Sequence, residues 1–91
     1  MRTSDFKELF DNLPERIQKL SELAFSKFVS DPDHPALRRH QLNDNKRGSH
    51  RDGSYSVSIT MQYRSIYVVE NGQNVWYWTG SHADYNRFTG A

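Results

Sequence analysis

The chain has 91 residues, 35% of them hydrophobic and 13% aromatic, which predicts one folded domain over residues 1–91 rather than two domains or a disordered chain. Because it contains no cysteine, a disulfide framework and a thiolate metal site are excluded. The net charge is only +1, and no stretch approaches the roughly eighteen consecutive apolar residues of a membrane span. We therefore expect a cytoplasmic protein without a membrane partner.

Two amphipathic helices are predicted at the start of the chain. Ser4 and the acidic residues after it suit the start of a helix. The apolar residues that follow recur at helical spacing: Phe6, Leu9, Phe10 and Leu13. Pro14 ends this helix and suits the first turn of another. The second apolar stripe comprises Ile17, Leu20, Ala24 and Phe28. We expect a helical hairpin that buries one face.

The rest of the chain is predicted to form strands. Pro32 and Pro35 end the second helix, and a short strand is expected over residues 38–42. After a polar loop over residues 43–53, apolar and polar residues alternate over 55–62, which predicts a half-buried strand. Further strands are predicted over 64–69 and 75–79, joined by a turn at Asn71-Gly72. A short segment follows Gly80.

This order predicts an α+β fold, in which a two-helix hairpin packs on a three- to four-stranded, mainly antiparallel sheet. Trp76 and Trp78 are two residues apart, which in a regular strand places them on one face. Core packing against the helices is the favoured interpretation of this pair, and base stacking by exposed rings is the alternative.

Positive charge is concentrated in the middle third of the chain. Residues 34–67 carry six basic and two acidic side chains, a sum of +4. A surface of this sign attracts polyanions and adds salt-dependent affinity for phosphate. From charge alone, an ordinary solvated loop is the favoured interpretation.

Three short strings carry a resemblance to a known family. They are GSYSVSI at 53–59, QYRSIY at 62–67 and GSHADY at 80–85. With the helical hairpin, their order and spacing resemble the RelE/ParE toxin superfamily of type II toxin–antitoxin pairs, and within it the RelE- and HigB-like branch that cleaves RNA. The resemblance covers nearly the whole chain.

The chain departs from that pattern at two points. Ser58 stands where the HigB-like string has an arginine, which removes a phosphate contact. The paired lysines that RelE carries before its arginine strand are absent. Two alternatives therefore stay open: a ParE-like toxin that poisons DNA gyrase, and an inactive relative that binds only an antitoxin or RNA.

The resemblance implies a metal-independent endoribonuclease without a cofactor, which acts on mRNA at the ribosome and is silenced by a cognate antitoxin. RNA can be cut by its own 2′-hydroxyl, given a base, an acid and a cation for the phosphorane charge. The sequence shows no clustered carboxylates or ligand spacing typical of a metal site.

Three residues are predicted to be catalytic. Arg64 is the candidate for charge stabilisation, because a guanidinium can grip phosphate with two donors; a surface ion pair is the alternative. His82 is the candidate acid or base, since imidazole exchanges protons near neutral pH; capping of the C-terminal turn is its alternative. Tyr85 would contact the scissile region or stack on a base, or else anchor the tail. Asp84 would orient His82 or pair with a basic residue.

A second set of residues is predicted to bind RNA rather than to act on it. Phosphate contacts of this kind position the nucleic acid. The set comprises Lys46, Arg47, His50 and Arg51 in the polar loop, together with His40.

Overall fold

The structure is a computed structural model that describes residues 1–44 and 47–90. Two helices come first, α1 (Ser4–Asp11) and α2 (Glu15–Ser30), followed by a 3-10 turn (Pro35–Leu37). Four strands come next, β1 (His40–Gln41), β2 (Tyr55–Thr60), β3 (Tyr63–Glu70) and β4 (Gln73–Ser81). A third helix, α3 (His82–Thr89), follows β4 directly. The predicted α+β class and order of elements are confirmed.

The helical hairpin forms as its sequence predicts. The N-cap of α1 is Thr3, one residue before the predicted Ser4, and its hydroxyl accepts a hydrogen bond from the Phe6 amide at 3.1 Å. Between the helices, the side-chain amide of Gln18 donates to the carbonyls of Phe10 and Leu13, both at 3.1 Å. These bonds satisfy carbonyls that the end of α1 leaves without helical partners.

The four strands form one antiparallel sheet in the order β1-β2-β3-β4. The predicted turn between β3 and β4 is confirmed, and its Asn71 and Gly72 have φ angles of +50° and +77°. The strand predicted over 55–62 is shorter than expected, because Met61 and Gln62 form the turn that leads into β3. An additional feature was not predicted: residue 2 pairs in parallel with β4 at Trp76.

One face of the sheet packs against α2 and part of α1. Trp76 lies at its centre, with its ring 5.1 Å from that of Phe28 and 4.6 Å from that of Tyr67. Each fully buried aromatic side chain stabilises the fold by about 1.5–3 kcal/mol. The buried members of this cluster are Phe6, Phe28, Leu37, Val57, Tyr67 and Trp76.

The expectation that Trp76 and Trp78 share a face is wrong, although both are buried as predicted. Tyr67 pairs with Trp76 while its neighbour Ile66 pairs with Trp78, so the register shifts and Tyr77 is the extra residue of a bulge. Adjacent residues of β3 point to opposite faces, and the two tryptophans therefore do so as well. Trp78 joins a second cluster with Ile66 and Tyr85.

This second cluster also changes the environment of β2. The sequence predicts a polar, exposed face for its serines, but Ser56 and Ser58 are only 1% and 8% exposed. Ser56 pairs with Ile66 of the second cluster, and Leu42 packs against that cluster as well. The sheet is thus covered on both faces, and β2 is buried rather than half-buried. Within the described ranges, no helix has the length and apolarity needed to cross a bilayer.

Candidate active site

The predicted catalytic residues meet at one end of the sheet, where β3 begins and β4 leads into α3. The hydroxyl of Ser81 caps α3 by accepting from the Asp84 amide at 3.2 Å. The backbone amide of His82 donates to the Gln62 carbonyl at 2.7 Å. The first turn of α3 is thereby held against the turn between β2 and β3.

Close packing fixes the approach to this turn. The ring of Trp78 lies against Gly80, and a Cβ added there would come within 2.9 Å of the indole. Gly80 also pairs with Arg64 across the β3–β4 ladder. A glycine at position 80 is therefore required by the tryptophan beside the site.

Arg64 is held by one edge of its guanidinium. Its Nη1 donates to the carbonyls of Thr60, Met61 and Tyr63, at 2.7, 3.1 and 3.1 Å. Neither Nε nor Nη2 has a hydrogen-bond partner among the described residues. The turn between β2 and β3 thus orients the guanidinium, while its Nε and Nη2 can still donate to an anion.

The charge of Arg64 is not neutralised locally. It forms no ion pair within residues 1–44 and 47–90, so the alternative of a surface ion pair does not describe it. Burial lowers the pKa of Arg64 from its ordinary value, the Tyr85 hydroxyl opposes that shift, and the charge of Arg38 adds to it. A guanidinium remains protonated under physiological conditions, so the site carries uncompensated positive charge.

Tyr85 joins the other two predicted residues. Its ring centre lies 6.0 Å from the Arg64 guanidinium carbon and 6.2 Å from the His82 imidazole, to which it is nearly parallel. The ring is buried and also packs against Trp78, so it anchors α3 to the sheet, which was one of its two expected roles. Its hydroxyl has no hydrogen-bond partner in the described part of the chain.

His82 is the first residue of α3 and is exposed. Its ring makes no hydrogen bond to any described residue, so it does not cap the turn; Ser81 does that. Asp84 pairs with Arg87 rather than orienting His82. The imidazole is therefore positioned mainly by its stacking on Tyr85.

The predicted loop residues lie in different environments. His50 is only 8% exposed, and its Nε2 donates to the Asn43 carbonyl, so its side chain is not presented at the surface. Arg51 pairs with Glu70 and lies over the Tyr77 ring. Arg47 is exposed, and Lys46 lies outside the described residues.

This loop packs at the far end of α3 from the candidate active site. The Ser49 amide donates to the Phe88 carbonyl at 2.6 Å, close to the end of the helix. The loop and the Arg64 site are thus separate features.

His40 lies on the same face of the sheet as the site. It pairs with Ser56 in the β1–β2 ladder and is exposed. Its Nδ1 lies 3.0 Å from the Arg38 carbonyl, which can only accept, so Nδ1 carries the proton. In the neutral ring, Nε2 is then left as an acceptor.

Arg38 lies near the candidate active site, and sequence reasoning did not single it out. It lines a shallow groove of about 440 Å³ beside the end of β2, together with Pro35, Ala36, Ser58, Thr60 and Met61. Its only signal in the sequence was membership of the basic middle third. In the described residues, no group of three histidine or carboxylate side chains is placed to hold a metal ion.

No protein-family model and no curated protein matches the chain. Its fold does match solved structures of toxins over nearly its full length. YafQ from E. coli superposes with a TM-score of 0.71 at 12% identity, covering 92% of both chains. The RelB–RelE antitoxin–toxin complex from Methanococcus jannaschii gives 0.71 at 12% identity and covers 97% of this chain and 98% of that one.

The toxin–antitoxin complex RelBE2 from Mycobacterium tuberculosis has the highest identity of the three, 21%, with a TM-score of 0.65 and coverage of 90% of this chain and 94% of the other. These identities are low, so the comparison concerns the fold. The chain has the fold of the RelE/YafQ/YoeB/ParE toxins.

Proposed function

We propose that this chain is the toxin of a type II toxin–antitoxin pair, and an endoribonuclease that cleaves mRNA at the ribosome without a metal ion. The observation that carries the proposal is the environment of the Arg64 guanidinium. On a RelE-like fold, this guanidinium is oriented by three backbone carbonyls, has no carboxylate partner in the described residues, and lies 6.0 Å from the ring of Tyr85, on which His82 is stacked.

The reaction begins with the 2′-hydroxyl of the RNA. Its oxygen attacks the adjacent phosphorus, a 2′-oxygen–phosphorus bond forms, and the bond to the 5′-oxygen of the next nucleotide breaks. The products are a 2′,3′-cyclic phosphate and a 5′-hydroxyl. Because negative charge builds on the phosphorane oxygens, the free Nε and Nη2 donors of Arg64 stabilise the transition state more than the substrate.

Proton transfer is assigned to His82. The reaction needs one group to accept the 2′-hydroxyl proton and another to protonate the leaving 5′-oxygen. The exposed ring of His82 has no hydrogen-bond partner among the described residues, so it can serve one of these steps. His40 lies on the same face with Nε2 as an acceptor, and it is a candidate for the other step or for an RNA contact.

Tyr85 supports both groups and can also contact RNA. Its ring holds the Arg64 guanidinium and the His82 imidazole at similar distances. Its hydroxyl would donate to a phosphate oxygen near the cleaved bond. We therefore retain Tyr85 as a catalytic residue.

The proposed partners are a cognate antitoxin, mRNA and the ribosome. Four of the similar solved structures are complexes with antitoxins: RelB with RelE, RelBE2, and two of DinJ with YafQ. The loop residues Lys46, Arg47 and Arg51 would add phosphate contacts. Because Arg51 pairs with Glu70, a phosphate contact by Arg51 would require that ion pair to open.

Expression of the chain without an antitoxin tests the function. We expect growth and translation to stop, and new message ends to map within translated regions, for the wild type but not for Arg64→Ala. Intact messages together with arrested growth would overturn the assignment as a ribonuclease.

The ParE-like alternative is favoured by one observation, the serine at position 58 in place of an arginine. A gyrase poison requires no cation for a phosphorane. The same expression experiment distinguishes the two functions, because a ParE-like toxin would trap gyrase on DNA while messages stay intact.

A further inference from the structure

Arg38 and Arg64 both neighbour Ser58. The β1–β2 ladder pairs His40 with Ser56 and Gln41 with Tyr55, and Arg38 precedes that ladder by two residues. Ser58 and Arg38 line the same groove. Across the next ladder, Ser58 pairs with Arg64. Ser58 therefore adjoins Arg64 within the sheet and Arg38 across the groove.

A groove beside the end of β2 connects Arg38 with residues that surround Arg64. Arg38 and Ser58 line the same groove, together with Thr60 and Met61. Thr60 and Met61 are also two of the residues whose carbonyls hold the Arg64 guanidinium. Arg38 and Arg64 therefore border one continuous surface, and the charge of Arg38 contributes to the lowered pKa of Arg64 after the larger effect of burial.

The backbone at Arg38 is held in an unusual conformation. Its φ and ψ are 47° and 40°, a left-handed geometry that residues other than glycine adopt infrequently. Its amide donates to the Pro35 carbonyl at 3.2 Å, and its carbonyl accepts from His40 Nδ1 at 3.0 Å. Contacts on both sides thus fix the direction in which this exposed side chain leaves the backbone.

Arg38 has no acidic partner among the described residues, whereas four of the eight arginines of the chain are in ion pairs. The ion pairs seen between described residues include those of Arg2, Lys19, Arg39, Arg51 and Arg87. Within the described ranges, neither Arg38 nor Arg64 forms one. Two uncompensated guanidinium groups beside a small hydroxyl side chain provide charge and space for one anion.

We propose that Arg38 and Arg64 together bind one RNA phosphate over Ser58. Arg38 supplies the phosphate contact that an arginine at position 58 would make. The small side chain of Ser58 leaves room for the phosphate. The inference rests on the proposed function for its substrate. It assigns a phosphate-binding role to a residue outside the three resembling strings.

The test measures binding of an RNA oligonucleotide with 2′-O-methyl groups, which cannot be cleaved by its own hydroxyl. Arg38→Gly removes the side chain and suits the left-handed backbone. Arg38→Lys keeps the charge without the fork. Arg16→Ala, on the exposed side of α2, removes one arginine that forms no ion pair within the described ranges and serves as the control.

We expect Arg38→Gly and Arg64→Ala each to weaken binding by about tenfold to a hundredfold, the loss of a charge-assisted hydrogen bond. Arg38→Lys should fall between Arg38→Gly and the wild type, and Arg16→Ala should stay within about twofold. The slope of log affinity against log salt should fall by about 0.7 on loss of Arg38. Inorganic phosphate, used as a competitor, should displace the oligonucleotide only weakly.

Each failure has a distinct meaning. Unchanged binding by Arg38→Gly, with Arg64→Ala weakened, overturns the role of Arg38 and leaves the ribonuclease proposal intact. Binding that depends on both arginines, by a chain that never cleaves natural RNA, supports the two-arginine site and overturns the ribonuclease proposal. Equal binding of free phosphate and RNA, or no binding by the wild type, overturns the RNA assignment of this site.

Discussion

The Arg64 guanidinium carbon lies 6.0 Å from the centre of the Tyr85 ring, which connects the first residues of β3 to the middle of α3. The same ring packs on Trp78 and is stacked with His82. A residue that anchors α3 therefore also orients both groups assigned to the chemistry. The structure of the core and the geometry of the site are coupled at Tyr85.

Arg64→Ala should reduce cleavage by about a hundredfold to a thousandfold, the range for loss of one preorganised charge stabiliser. Arg64→Lys should recover only part of the lost cleavage, because one ammonium group cannot both bind the three turn carbonyls and present two further donors to the phosphate. Stability should fall by about 1 kcal/mol, since the turn carbonyls lose their donor. Cleavage rates and thermal melts measure the two effects; a fully unfolded variant would assign Arg64 to the fold instead.

His82→Ala should slow cleavage by about tenfold to a thousandfold and leave the melting temperature nearly unchanged, because the ring is exposed. His34→Ala is the control, since His34 instead caps the 3-10 turn by accepting from the Ala36 amide. Rates of cleavage at saturating RNA are the measurement. Wild-type rates for His82→Ala would exclude the ring from proton transfer.

Tyr85→Phe separates the two roles of Tyr85. The ring contacts with Trp78, His82 and Arg64 are preserved, so stability should change by less than about 1 kcal/mol, while cleavage falls if the hydroxyl touches the phosphate. Tyr85→Ala should lose about 3–5 kcal/mol, as for other large aromatic core residues. Denaturant unfolding and cleavage are measured in parallel. If Tyr85→Phe cleaves as fast as the wild type, Tyr85 is a positioning residue only.

A pair of buried serines provides a test of the fold itself. Ser56 is 1% exposed and its hydroxyl has no partner in the described residues, so Ser56→Ala should leave stability unchanged or raise it. Ser65 is also buried, but its hydroxyl donates to Thr79 at 2.9 Å. Ser65→Ala should therefore lower stability by about 1–3 kcal/mol. The opposite order in denaturant unfolding would contradict the hydrogen-bond arrangement of the sheet.

Local patterns were sufficient to predict most of the fold. The spacing of Phe6 and Phe10, the break at Pro14 and the Asn71-Gly72 turn are each encoded by neighbouring residues, and all three appear in the structure. The bulge at Tyr77 is not encoded locally, because it depends on the register between β3 and β4. The regular alternation of a strand therefore assigned Trp76 and Trp78 to one face incorrectly.

Part of the candidate active site was also predictable from local sequence patterns. Arg64, His82 and Tyr85 belong to strings whose types and order suggested chemistry, and the structure brings them together. The burial of His50 follows from the packing of the loop against α3, a contact between distant segments. The position of Arg38 depends on its left-handed backbone and on the packing of the 3-10 turn against β2, which no periodicity can show.

The most direct test of the central claim is the chemistry of the cut ends. Purified chain is added to ribosomes that translate a defined message, and the fragments are analysed for both termini. The proposal predicts cuts within the message that leave a 2′,3′-cyclic phosphate upstream and a 5′-hydroxyl downstream, and cleavage reduced by about a hundredfold to a thousandfold with Arg64→Ala. Fragments with 5′-phosphate ends, or a message that stays intact while the wild-type chain is present, would contradict it.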